Sequence, residues 1–267
     1  MKKDLEGSAA TPLTSAPPPV AAAVPFPLPS SLFPKAPTGA PYDDVPLTQI
    51  RKTIAKRLAT SLGPVPHFFL TTEVDMERAA EAREALNQTL PADEKIGFNS
   101  LILKATALAL TKHRACNAWF ADDHIRYWNE VHLGMAVAVE DGLITPVIRD
   151  AAAKSLSEIG RTARELADLA RARRLQPAQY TGATFSVSNL GMFDIDQFTA
   201  VINPPEAAIL AVGAIAPKPV ALDAAVTVRR RMRVTMSCDH RVIDGATGAA
   251  FLKTLQQMLE NPLAMLV

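Results

Sequence analysis

The 267-residue chain has few of the features that mark several common classes of protein. Its only cysteines are Cys116 and Cys238, which excludes a disulfide-rich scaffold, and no spacing of Cys and His is typical of a metal site. A net charge of +1 gives no overall field to attract nucleic acid or an anionic membrane. The chain has no apolar run long enough to cross a bilayer, no signal-peptide core after Met1 and no glycine-rich nucleotide loop. We therefore expect a reduced, cytosolic protein without a metal or a dinucleotide.

The periodicity of the apolar residues predicts one large α/β domain over residues 42–267. A hydrophobic content of 48% supports a sizeable core. Residues 99–113 are almost wholly apolar, which predicts a buried helix, and Ser155 with Glu158 has the spacing of a capping box that opens another. Helices and strands alternate with hairpin-like returns, as at Asp141-Gly142, and this order is typical of a mixed sheet. The predicted strands are 67–74, 124–128, 131–140, 143–149, 184–188, 207–214, 225–231 and 233–238.

The segment before this domain has a different composition. Residues 12–41 hold 10 of the chain's 21 prolines and, apart from Lys35, no charged residue. Each proline removes a backbone donor and favours extended polyproline II. We therefore interpret residues 8–41 as a proline- and alanine-rich linker.

His240 lies on a predicted strand-to-helix connection. Residues 233–238 alternate as a half-buried strand does, and helical spacing of apolar residues follows Gly245. A loop held between two regular elements can orient a catalytic group, and histidine exchanges protons near neutral pH. For a lone histidine, a turn in which the ring caps a carbonyl is the commoner explanation. Cys238 could form a thiol–imidazole pair with His240, but a buried, inert thiol is the favoured interpretation.

A second polar pattern lies at residues 184–188, before the His240 connection in the chain. Thr184, Ser186 and Ser188 alternate with Phe185 and Val187, so the three hydroxyls share one face of a predicted strand. A polar face on a central strand needs partners or a ligand.

Together these stretches resemble the dihydrolipoamide acyltransferases, the core subunits of the 2-oxo acid dehydrogenase complexes. The resemblance covers residues 43–267, with its motifs in the family's order, and the chain departs from the family at Ser100, where an acidic residue is usual. Residues 188–193, with 202–205 behind them, look most like the acetyl-transferring branch that serves pyruvate dehydrogenase. The other matching stretches are 51–58, 66–68, 143–149 and 239–245.

The resemblance implies both a fold and a reaction. The fold would be a mixed-sheet, two-layer α/β sandwich similar to chloramphenicol acetyltransferase. Chains of the family form trimers, with the active site between neighbouring chains. The trimers would build a cubic or dodecahedral shell. The reaction would be transfer of an acetyl group between dihydrolipoamide and coenzyme A, without a metal or a covalent enzyme intermediate. In this scheme His240 is the general base, Ser188 donates to the oxyanion, and Asp244 is a structural anchor with Arg51 as its candidate partner.

The resemblance also implies partners. Residues 1–7 would be the remnant of a peripheral subunit-binding domain, and the lipoyl group would be carried on a separate domain or chain. The decarboxylase and dihydrolipoamide dehydrogenase components would bind the same complex, in the cytoplasm or in a mitochondrial matrix. A succinyl- or branched-chain-acyl-transferring homologue, a non-catalytic scaffold and a free-standing small-molecule acetyltransferase are the alternatives. The residues that contact coenzyme A are not predicted.

Overall fold

The computed structural model describes residues 45–140, 142–222 and 225–266, which contain ten strands, five α-helices and several short 3-10 helices. All of these elements belong to one compact unit, Leu47–Val267. The helices are α1 (Gln49–Leu62), α2 (Glu77–Thr89), α3 (Phe98–Lys112), α4 (Leu156–Arg171) and α5 (Gly245–Glu260). The strands are β1 (His67–Asp75), β2 (Ala118–Ala121), β3 (His124–Tyr127), β4 (Leu133–Met135), β5 (Val137–Val139), β6 (Gly142–Ile144), β7 (Val147–Ile148), β8 (Phe185–Asn189), β9 (Ala208–Leu222) and β10 (Ala225–Asp239).

Six of the strands form one mixed sheet in the order β1-β10-β9-β8-β4-β7. The pairs β1–β10, β10–β9 and β4–β7 are antiparallel, whereas β8 runs parallel to both β9 and β4. The sequence predicts two strands where β10 is one, because a register shift between Met232 and Val234 interrupts the alternation without ending the strand. The predicted mixed α/β sheet is confirmed.

The two faces of β8 have different neighbours. Phe185 and Val187 are buried in the main core, and the Phe185 ring lies 5.6 Å from the ring of Phe251 on α5. Helices α3, α4 and α5 contribute most of their apolar residues to this core, so they form the second layer of the sandwich. Ser186 and Ser188 face the other side, where α1 lies. One face of the sheet is therefore packed, and the other is left for a cavity.

Local sequence signals explain where several helices begin. Ser155 and Glu158 form the predicted capping box of α4, with N–H···O distances of 3.2 and 2.7 Å. Helix α3 is buried along most of its length, as its apolar sequence predicts. Asp75 has the residue type of an N-cap for α2, but Met76 is the N-cap, and the Asp75 carboxylate instead accepts the N–H of Glu77 at 3.0 Å.

Some predictions concern residues outside the described ranges. The subunit-binding remnant at 1–7 and the linker at 8–41 remain predictions, as does the conformation of Asp141 in the predicted hairpin turn. Val139 and Gly142 on either side of it do pair, in a β5–β6 hairpin. None of the helices between residues 45 and 266 is both long and apolar enough to span a membrane.

Candidate active site

His240 lies where the sequence predicts, between the end of β10 at Asp239 and the start of α5 at Gly245. Its backbone N–H donates to the carbonyl of Pro66 at 3.0 Å. Its ring is exposed and lies 4.7 Å from the ring of Phe68, centroid to centroid. Within the described residues, the imidazole makes no hydrogen bond. The ring nitrogens are therefore available to a substrate or to another chain.

Asp244 caps a helix instead of pairing with Arg51. Its carboxylate accepts the N–H of Thr247 at 2.7 Å and so satisfies a free donor in the first turn of α5. This backbone hydrogen bond holds the pKa of Asp244 below its usual value. No ion pair joins Asp244 to Arg51 within the described chain. Within one chain, Asp244 therefore anchors the start of α5 as a helix cap, and its role in the site stays a prediction.

Ser188 lines a cavity of about 670 Å³ on the open face of the sheet. The residue is 9% exposed, and within the part of the chain that the structure describes its hydroxyl makes no hydrogen bond. Because the hydroxyl lines the cavity and is not committed to another described group, it can donate a hydrogen bond to a bound ligand. The cavity walls are mainly apolar and come from α1, the β5–β6 hairpin and the segment before β9; they include Ile50, Ile54, Leu58, Leu143, Ile144, Phe198 and Val201.

Glu206 is a buried carboxyl close to this cavity. It is 3% exposed, and it accepts a hydrogen bond of 2.8 Å from the amide of Asn203, a cavity residue. Burial raises the pKa of Glu206 to about 7, although the hydrogen bond from Asn203 and the nearby Ser186 hydroxyl act in the opposite direction. Nothing in the sequence of residues 202–206 indicates that this carboxyl faces inward, so it could not be predicted.

His67 has both ring nitrogens engaged. Nδ1 donates to the carbonyl of Val65 at 2.8 Å, and Nε2 accepts the N–H of Ile202 at 3.3 Å. A neutral ring in this tautomer satisfies both contacts and leaves no free nitrogen for proton transfer. His67 is therefore held in a structural role by two orienting partners, which no pattern around residues 66–68 of the sequence indicates.

The two cysteines are buried within the fold. Burial raises the pKa of both the Cys116 and the Cys238 thiols to about 12, so neither is a thiolate near neutral pH. The interpretation of Cys238 as an inert thiol is therefore supported over a thiol–imidazole pair. No group of three or more His, Cys, Asp or Glu side chains suited to a metal ion occurs among the described residues.

A single chain does not bring Ser188 and His240 together. Ser188 pairs with Ala211 on β9, and Ala211 pairs with Thr235 on β10, five positions before His240. Two strand spacings and five residues of extended chain correspond to roughly 20 Å. Within one chain, Ser188 and His240 are therefore too far apart to act on one small substrate group.

The fold and the site define a class of protein. The architecture matches that of chloramphenicol acetyltransferase, with a TM-score of 0.50 and 15% identity over 76% of this chain and 94% of that one, which shows the fold alone. The family model of the 2-oxoacid dehydrogenases acyltransferase (catalytic domain) matches residues 39–267. The chain belongs to this acyltransferase family.

Curated relatives and solved structures agree with that assignment. A dihydrolipoyllysine-residue acetyltransferase component of the mitochondrial pyruvate dehydrogenase complex of Schizosaccharomyces pombe is 44% identical over 85% of this chain and 47% of its own length. The corresponding protein of Rickettsia felis is 41% identical over 85% of this chain and 55% of its own length. The chain therefore spans about half the length of these relatives.

Two solved structures are similar over nearly the whole domain. The dihydrolipoamide acetyltransferase of Azotobacter vinelandii has a TM-score of 0.81, with 33% identity over 88% of this chain and all of that one. A serine, a histidine and an asparagine have been investigated for their role in the catalytic mechanism of that enzyme. The histidine follows the serine by 52 positions, and the asparagine follows the histidine by four. The cubic core of a pyruvate dehydrogenase multienzyme complex also has a TM-score of 0.81, with 32% identity over 88% of this chain and all of that one.

Proposed function

We propose that this chain transfers an acetyl group between dihydrolipoamide and coenzyme A as the catalytic core of a pyruvate dehydrogenase complex. The observation that carries the proposal is the unpartnered Ser188 hydroxyl in the wall of a large apolar cavity, together with a free imidazole at His240. The spacing supports it, since His240 follows Ser188 by 52 positions and Asp244 follows His240 by four, as in the Azotobacter enzyme. The asparagine of that enzyme corresponds to Asp244, and both residue types can cap a helix.

The proposed reaction needs a base and an oxyanion donor. A thiol is mostly protonated at neutral pH, so His240 takes the proton from the thiol of coenzyme A. The sulfur then attacks the carbonyl carbon of S-acetyldihydrolipoamide. The carbonyl oxygen becomes an oxyanion, which accepts a hydrogen bond from the Ser188 hydroxyl. When this intermediate collapses, the bond from carbon to the lipoamide sulfur breaks. The departing sulfur takes the proton from the imidazolium of His240, which restores the base.

The separation of the two residues indicates how the site is completed. Since Ser188 and His240 of one chain are roughly 20 Å apart, we infer that a site combines Ser188 of one copy with His240 of another. A closed cyclic trimer would provide three such sites with identical contacts. The similarity to a cubic core supports self-assembly.

The wider assembly follows from the same proposal. The apolar cavity suits the aliphatic arm of a lipoyl group, which would be presented on a separate lipoyl domain or chain. The decarboxylase and dihydrolipoamide dehydrogenase components would be the other partners. Names of the relatives include a mitochondrial protein and a bacterial one, so we propose the cytoplasm of a bacterium or the mitochondrial matrix of a eukaryote.

An acyl-transfer assay tests the function. Purified protein is incubated with acetyl-coenzyme A and free dihydrolipoamide, and the released coenzyme A is measured. Parallel reactions contain succinyl-coenzyme A, isobutyryl-coenzyme A, or an amine in place of the dithiol. We expect the acetyl donor with the dithiol acceptor to give the highest kcat/KM. Faster transfer from another donor would assign the chain to another acyl branch, transfer to the amine would indicate a small-molecule acetyltransferase, and no transfer would indicate a scaffold.

A further inference from the structure

Asp239 and Arg241, the residues on either side of His240, form an ion pair. The Asp239 carboxylate accepts two hydrogen bonds from the guanidinium of Arg241, from Nε at 3.0 Å and from Nη2 at 2.8 Å. The same carboxylate accepts the backbone N–H of Arg241 at 3.0 Å. Asp239 is only 2% exposed, so this charged pair is partly removed from solvent, and a forked guanidinium contact fixes its geometry as well as its charge. The pair therefore closes a small ring of chain that contains His240.

An aromatic side chain supports the pair from another element. The guanidinium carbon of Arg241 lies 3.8 Å from the centre of the Phe120 ring, within the range of a cation–π contact. Phe120 belongs to β2, and its N–H donates to the carbonyl of Pro205 at 3.2 Å. The guanidinium is thus fixed at its edge by a carboxylate and on one face by a ring that is itself held in place.

The backbone around His240 is held at each step. The backbone N–H of Asp239 donates to the carbonyl of Ala207. The backbone carbonyl of Asp239 accepts the N–H groups of Val242 and Ile243, both at 3.0 Å. With the N–H of His240 bound to Pro66, these bonds fix how the chain enters and leaves the histidine. Since the ring itself has no hydrogen bond among the described residues, its direction depends on this backbone and on the contact with Phe68.

We propose that Asp239 and Arg241 are positioning residues for His240, with Phe120 as the support of the guanidinium. This inference rests on the proposed function in one respect, namely that His240 is the base. Loss of the guanidinium fork would let residue 240 move relative to its neighbours and to the thiol. A displacement of about 1 Å in a catalytic group can lower the rate by about 100-fold.

The test compares two variants of Arg241 with a matched control. Arg241→Gln removes the charge and the fork, and Arg241→Lys keeps the charge without the fork. Arg230→Gln is the control, since Arg230 also lies on β10 and forms a 2.9 Å ion pair, with Glu77, far from His240. We expect Arg241→Gln to lower kcat by about 10- to 100-fold with little change in KM for coenzyme A, Arg241→Lys to lower it less, and Arg230→Gln to leave it unchanged.

A second readout separates positioning from general destabilisation. In a His240→Ala background, Arg241→Gln should cause no further loss of turnover, because residues that act through one another are not additive. A structure of the Arg241→Gln protein should show the His240 ring displaced from Phe68. Unchanged kcat in both Arg241 variants, an equal loss in the His240→Ala background, or a ring that stays on Phe68 would each overturn the inference. If the unmodified protein proves inactive, the proposed function fails, and the ring position alone decides the positioning role.

Discussion

The carboxylate of Asp244 accepts the N–H of Thr247 at 2.7 Å, so the last residue of the His240 connection is also the N-cap of α5. Asp244→Ala should remove this cap and destabilise the protein by about 0.5–2 kcal/mol, whereas Asp244→Asn should stay close to wild type because asparagine caps equally well. The measurement is urea unfolding of each variant. Equal destabilisation by Asn and Ala would show that the charge matters, as it would in an ion pair with Arg51 from another copy.

His240→Ala should lower turnover by about 10²- to 10⁴-fold, the usual contribution of a general base, with little effect on affinity for coenzyme A. Steady-state kinetics with acetyl-coenzyme A and dihydrolipoamide measure both quantities. His124→Ala is a suitable control, because His124 is exposed and pairs only with its neighbour Asp123 among the described residues. Near-normal turnover of correctly assembled His240→Ala protein would rule out the histidine as the base.

Glu206→Gln should stabilise the protein in a way that depends on pH. The pKa of Glu206 is raised to about 7 in the folded state, from 4.5, so between these values the folded protein retains a proton that the unfolded chain has lost. Stability therefore falls as pH rises from about 4.5 to about 7, and the penalty persists above that range. Glutamine removes the penalty and can still accept the Asn203 amide. We expect a gain of up to roughly 3 kcal/mol at pH 8 and little gain at pH 4.5.

Thermal unfolding of both proteins across that range checks this prediction. Glu84→Gln serves as a control, since Glu84 is an exposed glutamate on α2, and its substitution removes one solvent-exposed charge. The same stabilisation at pH 4.5 and pH 8 would contradict the assignment of the effect to ionisation of Glu206.

Much of the local structure could be predicted from the sequence. Amphipathic spacing, the capping box at Ser155 and the strand-to-helix connection at His240 depend on neighbours in sequence, and the structure has each of them. The shared face of Ser186 and Ser188 follows from the two-residue period of a strand, and both residues line the cavity.

What could not be predicted depends on contacts between distant segments. The position of β8 between β9 and β4 is set by pairing across long loops, and the burial of Glu206 depends on how residues 202–206 meet Ser186. The contact of Arg241 with Phe120 joins residues that are far apart in sequence, so no local pattern indicates it. The pairing of Arg51 with Asp244 follows only from the family resemblance, and the Asp244 cap of α5 depends on where that helix begins in the fold.

The separation of Ser188 from His240 leads to a prediction about two inactive proteins. Ser188→Ala should remove the oxyanion donor and lower turnover by about 10²- to 10³-fold, equivalent to roughly 2.7–4 kcal/mol. His240→Ala should also be nearly inactive. Both variants should still form trimers, since neither side chain makes a hydrogen bond within the described chain. Analytical ultracentrifugation of each variant checks this requirement before they are combined.

When the two variants are co-expressed in equal amounts, they should assemble at random around a cyclic trimer. If each site takes Ser188 from one chain and His240 from its neighbour, each residue is intact with a probability of about one half, and about a quarter of the sites are complete. The mixture should therefore have roughly a quarter of wild-type activity. A site built within one chain would always lack one of the two residues, so mixing would restore nothing. Different affinity tags on the two variants allow mixed trimers to be isolated, and mixed trimers no more active than either variant alone would show that the site is not shared.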